Sequence, residues 1–239
     1  MPVSRFSNYL LRSLSPAIVE RLHLRPVRLE VGRVMEFPGE SIDNLFFIEE
    51  GVGSMTATFR DGSEVEIGMF GCESVVGISA LMGTKKSLNR IYMQLGGSGY
   101  MSPIEAARME FNQCQDFQRL ALRYVQTQLI QATQTAACNA RHNIEQRLAR
   151  WLLLIADRAG TSMLRISHQF LADMLGVTRP SVAITAHQLR DRGLIDYQRA
   201  VIQIIDREGL ERCTCECYGL VRRHLDSYAE FDAELSSPF

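Results

Sequence analysis

The stretch from Leu164 to Arg192, LRISHQFLADMLGVTRPSVAITAHQLRDR, constrains the chain more than any other. Ser167 stands where an N-cap belongs, and Phe170, Leu171, Met174 and Leu175 follow at helical spacing. Ala172 is small, as a close helix–helix approach requires. Gly176 sits where the first helix must stop and the backbone needs a positive φ, and Val177 fills the corner. Thr178 caps a second helix, and Pro180 falls in its first turn, where a missing N–H costs little. Val182, Ala186 and Leu189 give that helix a buried stripe, with Arg179, Ser181, Thr185 and Gln188 off it. Two short helices with a tight corner make a helix-turn-helix, whose second helix enters the major groove of DNA.

Charge is the first check on a nucleic-acid reading, because cations neutralising phosphates supply the non-specific part of the affinity. The net charge is only −1. Around the motif, however, Arg165, Arg179, Arg190, Arg192 and Arg199 stand against Asp173, Asp191 and Asp196, a surplus of about two positive charges. Binding is therefore expected to lean on base contacts and on pairing of two chains.

The other 200-odd residues divide by periodicity. Leu10, Leu11, Leu14, Ile18, Val19 and Leu22 recur at helical intervals, with Pro16 near a helix start. From Val27 to about Tyr100 the pattern is short strand-like runs, 27–31, 45–48, 54–59 and 64–67. Pro38-Gly39, Gly51, Gly53, Asp61-Gly62 and Gly71 punctuate them, which predicts a β-roll or jelly roll. From about Asp116 to Asn139, Leu122, Val125, Leu129, Ala132 and Ala136 step by three and four, a heptad seam. Phe117, Leu120, Ala121 and Tyr124 supply a second apolar face to pack on the roll. Ile144, Leu148, Trp151, Leu152 and Ile155 predict a support helix ending near Ala159-Gly160. Gly193 ends the motif, and 194–197 and 201–205 read as a β-wing. A helix is expected over roughly 208–228 and a loose tail over 236–239. The fold class is α+β: a sensory roll over 1–115, a dimerisation helix over 116–139 and a winged helix-turn-helix over 140–239.

No apolar run reaches membrane-spanning length, and the N-terminus lacks the apolar core of a signal peptide, so a cytoplasmic location is expected. Six cysteines without such a signal are expected to be reduced. Cys213, Cys215 and Cys217 would share a face on a strand, where they could bind metal or oxidise, and would spread over about 200° on a helix. We expect plain thiols there, and no metal, cofactor or catalytic residue in the chain. A cupin-like metalloenzyme would need histidine ligands on strands, and none occurs between Val27 and Tyr100. A ligand sensor acting on a protein partner remains the other class.

This order of elements, with Phe37-Pro38-Gly39-Glu40, Ile48-Glu49-Glu50-Gly51 and the run from Leu171 to Arg179, resembles the cyclic-AMP receptor protein/FNR (Crp/Fnr) family of bacterial transcription regulators. The resemblance spans nearly the whole chain. It implies a homodimer formed along the long helix, duplex DNA with a near-palindromic operator, RNA polymerase as a partner, and a small-molecule effector site in the roll. Members that bind cyclic AMP carry Gly-Glu-Leu in a phosphate-binding cassette, followed by Arg-Ser or Arg-Thr. Here the cassette reads Val75 to Leu81, with Ile78 in place of the carboxylate and Leu88-Asn89-Arg90 later on. The weak effector pocket is thus Gly77, Ile78, Ser79, Asn89 and Arg90, with strand alternation aiming Arg90 away, and cyclic AMP is not expected in its usual mode. An iron–sulfur sensor of this family needs cysteines near the N-terminus, and the first here is Cys72. The five histidines, His23, His142, His168, His187 and His224, form no distinctive pattern for a heme ligand.

The family's recognition helix presents an arginine after its cap, then a glutamate, then an arginine one turn on. Arg179 fills the first position and is expected on guanine O6 and N7. Pro180 and Ile184 fill the others, so the family's half-site does not carry over. Ser181, Thr185 and Gln188 are further candidates for base or phosphate contact, Thr178 and Ser167 for phosphates, and His168 and Gln169 for the DNA backbone.

Overall fold

The chain is seen in a computed structural model that describes residues 6–235, with side chains through Asp226. The expected loose tail over 236–239 lies outside the described residues. Two compact units emerge, one built from residues up to 55, 69–130 and 223 onward, the other from 56–68 and 131–222.

Two short helices, α1 (Tyr9–Arg12) and α2 (Pro16–Arg21), precede eight strands, β1 (Arg25–Leu29), β2 (Val34–Glu36), β3 (Asn44–Ile48), β4 (Val52–Thr58), β5 (Glu64–Phe70), β6 (Val75–Val76), β7 (Arg90–Leu95) and β8 (Gly97–Pro103), all in the first unit except the stretch 56–68 that ends β4 and begins β5. They form two four-stranded sheets, ordered β1-β8-β3-β6 and β2-β7-β4-β5. The run Asn44-Leu45-Phe46-Phe47-Ile48 does not alternate in hydropathy because β3 is covered on both faces. Phe46 and Ile48 join Leu29, Phe70, Val76, Ile91 and Met93 in one core. Leu45 and Phe47 point the other way, into a second core with Leu10, Leu11, Ile18 and Leu22. That core also takes Phe117, Leu120, Ala121 and Tyr124 from the long helix α4 (Gln115–Arg141), as its sequence pattern predicts. A helix not foreseen individually, α3 (Ile104–Gln113), comes between β8 and α4.

Asn8 shows how a buried polar side chain is accommodated here. Its Oδ1 accepts from the N–H groups of Leu10 and Leu11, capping α1, while its Nδ2 donates to the carbonyls of Ile48 (3.0 Å) and Ser74 (2.9 Å). All of its hydrogen-bonding capacity towards the interior is used.

The second unit is built on α5 (Ile144–Ala159), whose residues 148–156 are all buried. Asn143 and Gln146 form a reciprocal capping box at its start, and Gly160 ends it at φ +62°. Trp151 donates its Nε1–H to the buried Glu66 carboxylate at 2.9 Å and sets its ring edge-on to Phe170. Next come β9 (Met163–Arg165), α6 (His168–Leu175), α7 (Arg179–Asp191), β10 (Ile195–Gln198) and β11 (Val201–Ile204). The sheet order β10-β11-β9 adds a third strand to the expected two-stranded wing. The helix expected over roughly 208–228 is two helices, α8 (Arg207–Cys213) and α9 (Glu216–Leu235). Thr214 breaks the run by taking an extended conformation and donating its hydroxyl to the Glu211 carbonyl.

Strand β8 begins where the backbone has no room for a side chain. A Cβ on Gly97 would lie 1.9 Å from the Glu50 carbonyl oxygen, a backbone atom that cannot swing aside. Gly97→Ala should therefore lower stability by at least about 2 kcal/mol in urea denaturation. An unchanged midpoint would contradict this packing.

Candidate nucleic-acid interface

Each end of the two motif helices is fixed by a local signal. Ser167 accepts from the Phe170 N–H at 3.1 Å, capping α6. Gly176 closes that helix at φ +62°, and an added Cβ would press on the Val65 side chain at 3.1 Å. Thr178 accepts from the Ser181 N–H, with Pro180 in the first turn of α7. Leu171, Ala172, Met174 and Leu175 on α6 are buried, as are Val182, Ala186 and Leu189 on α7. The caps and the buried stripe agree with the sequence reading.

The exposed side of α7 differs from the expected one in two places. Thr185 is corrected: it is 7 % exposed, and its hydroxyl donates to the Ser181 carbonyl at 2.9 Å. Its position three residues after Val182 puts it in the buried stripe, and the back-bonded hydroxyl makes that burial tolerable. Ile184 is the opposite case, an isoleucine 62 % exposed on a helix otherwise well packed. Arg179 and Gln188 are exposed, and Arg179 makes no hydrogen bond or ion pair among the described residues. The hydroxyls of Ser181 and Thr178 lie 2.9 Å apart at the start of the helix.

On α6, Gln169 is exposed and donates to Asp173 at 2.8 Å. His168 stacks on Tyr197 of the wing with centroids 3.9 Å apart, its Nε2 buried without a hydrogen-bond partner. Burial, aided by the charge of Arg179, holds its pKa below the ordinary histidine value. It is neutral at pH 7 and brings no cation to a phosphate. The tip between β10 and β11 turns on Arg199 (φ +46°) and Ala200 (φ +63°). Positive φ at both central residues gives the primed turn that suits a two-residue hairpin, a conformation usually left to Asn and Gly. The strained turn carries an exposed arginine, counted in the sequence only as a charge. Arg192, by contrast, is spent internally, at 2.7 Å from Glu145.

The seam expected on α4 lies uncovered in the single chain. Leu122 is 48 % and Leu129 62 % exposed; Ala136 is exposed, and Val125 and Ala132 are half-buried.

In the roll, Gly77, Ile78, Ser79 and Asn89 line one cavity of ≈ 130 Å³ together with Glu36, Tyr124 and Gln128. Arg90 does not line it; in step with Tyr92 on β7, it lays its guanidinium 4.7 Å from that ring. Glu36 is the residue the sequence reading missed. Its carboxylate accepts from the Gly77 N–H at 2.8 Å and from the Ser87 hydroxyl at 2.5 Å. Burial raises its pKa despite these hydrogen bonds.

The cysteines regroup in a way that their spacing did not suggest. All six are free thiols, as expected. Cys213 sits apart from its two neighbours, its Sγ 3.2 Å from the Gly209 carbonyl and 2.9 Å from Arg192. Cys215 and Cys217 instead meet Cys138 and His142 from the end of α4. Burial pushes the Cys138 and Cys217 thiols above their ordinary range, so without a cation they are neutral.

Residues 146–213 match the Crp-like helix-turn-helix domain. The global nitrogen regulator of a Nostoc strain is 23% identical over 185 residues, 73% of this chain and 82% of that protein. The regulator of the same name in a Synechocystis strain is 22% identical over 213 residues, covering 85% and 91%. Among solved structures, a transcriptional regulator of the crp/fnr family from Eubacterium rectale superposes with a TM-score of 0.70 at 19% identity, covering 86% of this chain and 98% of that one. FixK2 from Bradyrhizobium japonicum gives 0.69 at 16%, covering 80% and 98%. Likeness at this identity is likeness of fold, and the proteins matched by sequence are regulators, which points away from an enzyme. No helix among the described residues is long and apolar enough to cross a membrane. Residues 146–213 are thus a Crp-like helix-turn-helix domain, and the chain shares its fold with transcriptional regulators of the crp/fnr family.

Proposed function

We propose that the chain acts as a homodimer that places two copies of α7 in successive major-groove turns of a near-palindromic operator, about 34 Å apart. The observation that carries this reading is the exposed start of α7, where Arg179 stands unengaged beside a fully formed cap. Its guanidinium fits guanine O6 and N7 in bidentate fashion. Ile184 offers the apolar contact that a thymine methyl prefers, and Gln188 the bidentate amide that suits adenine. Ser181 adds a base or phosphate contact. Thr178, Ser167, Gln169 and Arg199 hold the DNA backbone, and His168 braces the wing through Tyr197.

The second copy is brought in along Leu122, Val125, Leu129, Ala132 and Ala136. Two large leucines left in water on one helical stripe favour burial against a like stripe. RNA polymerase is the partner this reading implies once the dimer is on its operator, and a soluble cytoplasmic protein is what it requires.

Cyclic AMP is not the effector in the usual mode. The cavity at Gly77 falls below the roughly 300–1,000 Å³ of ordinary small-molecule sites. Its Gly77 N–H is already given to an internal carboxylate, and a second anion beside Glu36 would be repelled. An effector of this cavity is small and not anionic.

Three outcomes test this reading. Arg179→Ala should weaken operator binding at least about tenfold in a gel-shift titration, with thermal stability and sedimentation unchanged. Equal affinity removes the assigned base contact. Leu122→Arg with Leu129→Arg should sediment as a monomer and bind the operator about a hundredfold more weakly, whereas a variant that still sediments as a dimer places the interface elsewhere.

The third concerns Glu36. With its folded-state pKa above the ordinary 4.5, its contribution to stability is fullest at low pH and is lost as pH rises through the raised value. Glu36→Gln keeps an acceptor for Gly77 but no charge. Its thermal midpoint should exceed that of the wild type at pH 7, and the gap should close below the ordinary carboxylate range. A lower midpoint at pH 7 would mean the charge itself is needed.

A further inference from the structure

We propose that Cys138, His142, Cys215 and Cys217 form a structural zinc site that fastens the end of α4 to the start of α9. Cys138 lies in the last turn of α4 and His142 directly follows the helix, its N–H bonded to the Cys138 carbonyl at 3.0 Å, while Cys215 and Cys217 flank Glu216, the first residue of α9. The candidate ligand atoms all lie within 4.8 Å of one another. Cys138 Sγ is 3.6 Å from Cys215 Sγ, and Cys217 Sγ is 3.6 Å from His142 Nδ1. Tetrahedral zinc, with Zn–S near 2.3 Å and Zn–N near 2.0 Å, separates two sulfurs by about 3.8 Å and a sulfur from a nitrogen by about 3.5 Å. The spacing is that of two edges of such a tetrahedron, and too long for a sulfur–sulfur bond.

The surroundings fit a closed metal site. Cys138, Cys215 and Cys217 are at most 5 % exposed, which leaves no open position for water or substrate. His142 turns Nδ1 to the sulfurs and holds Nε2 3.4 Å from the Glu216 carboxylate, the outer partner that fixes a ligating imidazole. Gln134 donates Nε2–H to Cys217 Sγ at 2.9 Å, as a coordinated thiolate accepts.

Charge closes as well. Three thiolates and Zn²⁺ leave one negative charge, each thiol having released its proton to solvent. Arg150 is 6 % exposed, its Nε and Nη1 have no hydrogen-bond partner, and its charge acts on Cys138. A buried guanidinium without an anion is costly, and the metal–thiolate group supplies one. Cys213 is excluded, because its sulfur is engaged with Gly209 and Arg192.

The test uses the full chain purified without an affinity tag under reducing conditions. Elemental analysis should give about one zinc per chain. Apo-protein titrated with Co²⁺ should show a thiolate-to-metal charge-transfer band and the intense d–d bands of a tetrahedral site. Cys215→Ser with Cys217→Ser should lose the metal and Cys213→Ser should keep it. Because the cobalt spectrum is read on the wild-type chain, the test stands even if the double variant fails to fold. Wild-type protein that neither carries zinc nor takes up zinc or cobalt overturns the proposal. So does iron in its place, a Cys138–Cys215 disulfide found by mass spectrometry, or full zinc occupancy in the folded double variant.

Discussion

The structure depends on how α4 is rotated about its own axis. Burying Phe117, Leu120, Ala121 and Tyr124 against the roll fixes that rotation, because these four large or closely fitted side chains fill a core already walled by β3 and α1. Nothing else on the helix can then face inward over that length. Leu122 and Leu129 are left on the outside as a consequence of this packing, not through any defect in it. A helix with one face committed and another apolar face uncovered is poised for a second helix of the same kind, and an isologous pairing supplies one without a new surface. The last turn of the same helix carries Cys138, with His142 directly after it.

The sequence made the motif legible because its signals are local. A serine or threonine three residues before an N–H, and a glycine where φ must be positive, are read within a few residues, and Ser167, Thr178 and Gly176 all act as their types predict. The heptad stripe and the opposite packing face of α4 were legible for the same reason. What could not be read depends on tertiary neighbours. Strands of two or three residues, β6 and β9, carry no period of their own and exist only because β3 and β11 offer edges. Thr185 was misplaced by residue type when its spacing from Val182 and Leu189 already put it inside. The cysteine group is not visible in the regular spacing of 213, 215 and 217, since Cys213 is not part of it. The informative pair is Cys138 and His142, four residues apart at the end of α4, whose partners lie some 75 residues away.

The cavity in the roll shows one fold element turned to another use. A glycine at φ +94° with an outward N–H is a natural place for an anion, and here the chain supplies the anion itself. Glu36 reaches it from β2, next to a register shift in the β2–β7 pairing that re-aims the strand. Ile78 after the glycine removes the carboxylate expected there, and Glu36 brings a carboxylate back from another strand. The charge inventory is similar to that of a nucleotide site while its arrangement is inverted: the acid occupies the donor that a phosphate would need. Composition alone would not separate the two cases; the direction of one hydrogen bond does.

The same reasoning about buried charge links α5 to both of its neighbours. Arg150 and Trp151 are adjacent, and their side chains point to different sides of the helix. Trp151 gives its one N–H to the Glu66 carboxylate. The acids that engage arginines in this unit, Glu145, Asp157, Asp206, Glu208 and Glu211, do so with Arg192, Arg207, Arg212 and Arg222, and Arg150 is in none of these pairs. A full positive charge with two unsatisfied nitrogens, nine-tenths out of water, costs several kcal/mol unless an anion lies near. The Arg150 charge acts on Cys138, and a thiol becomes an anion when a metal takes the place of its proton. A metal held by the cysteine group would therefore also give the buried Arg150 guanidinium its anion.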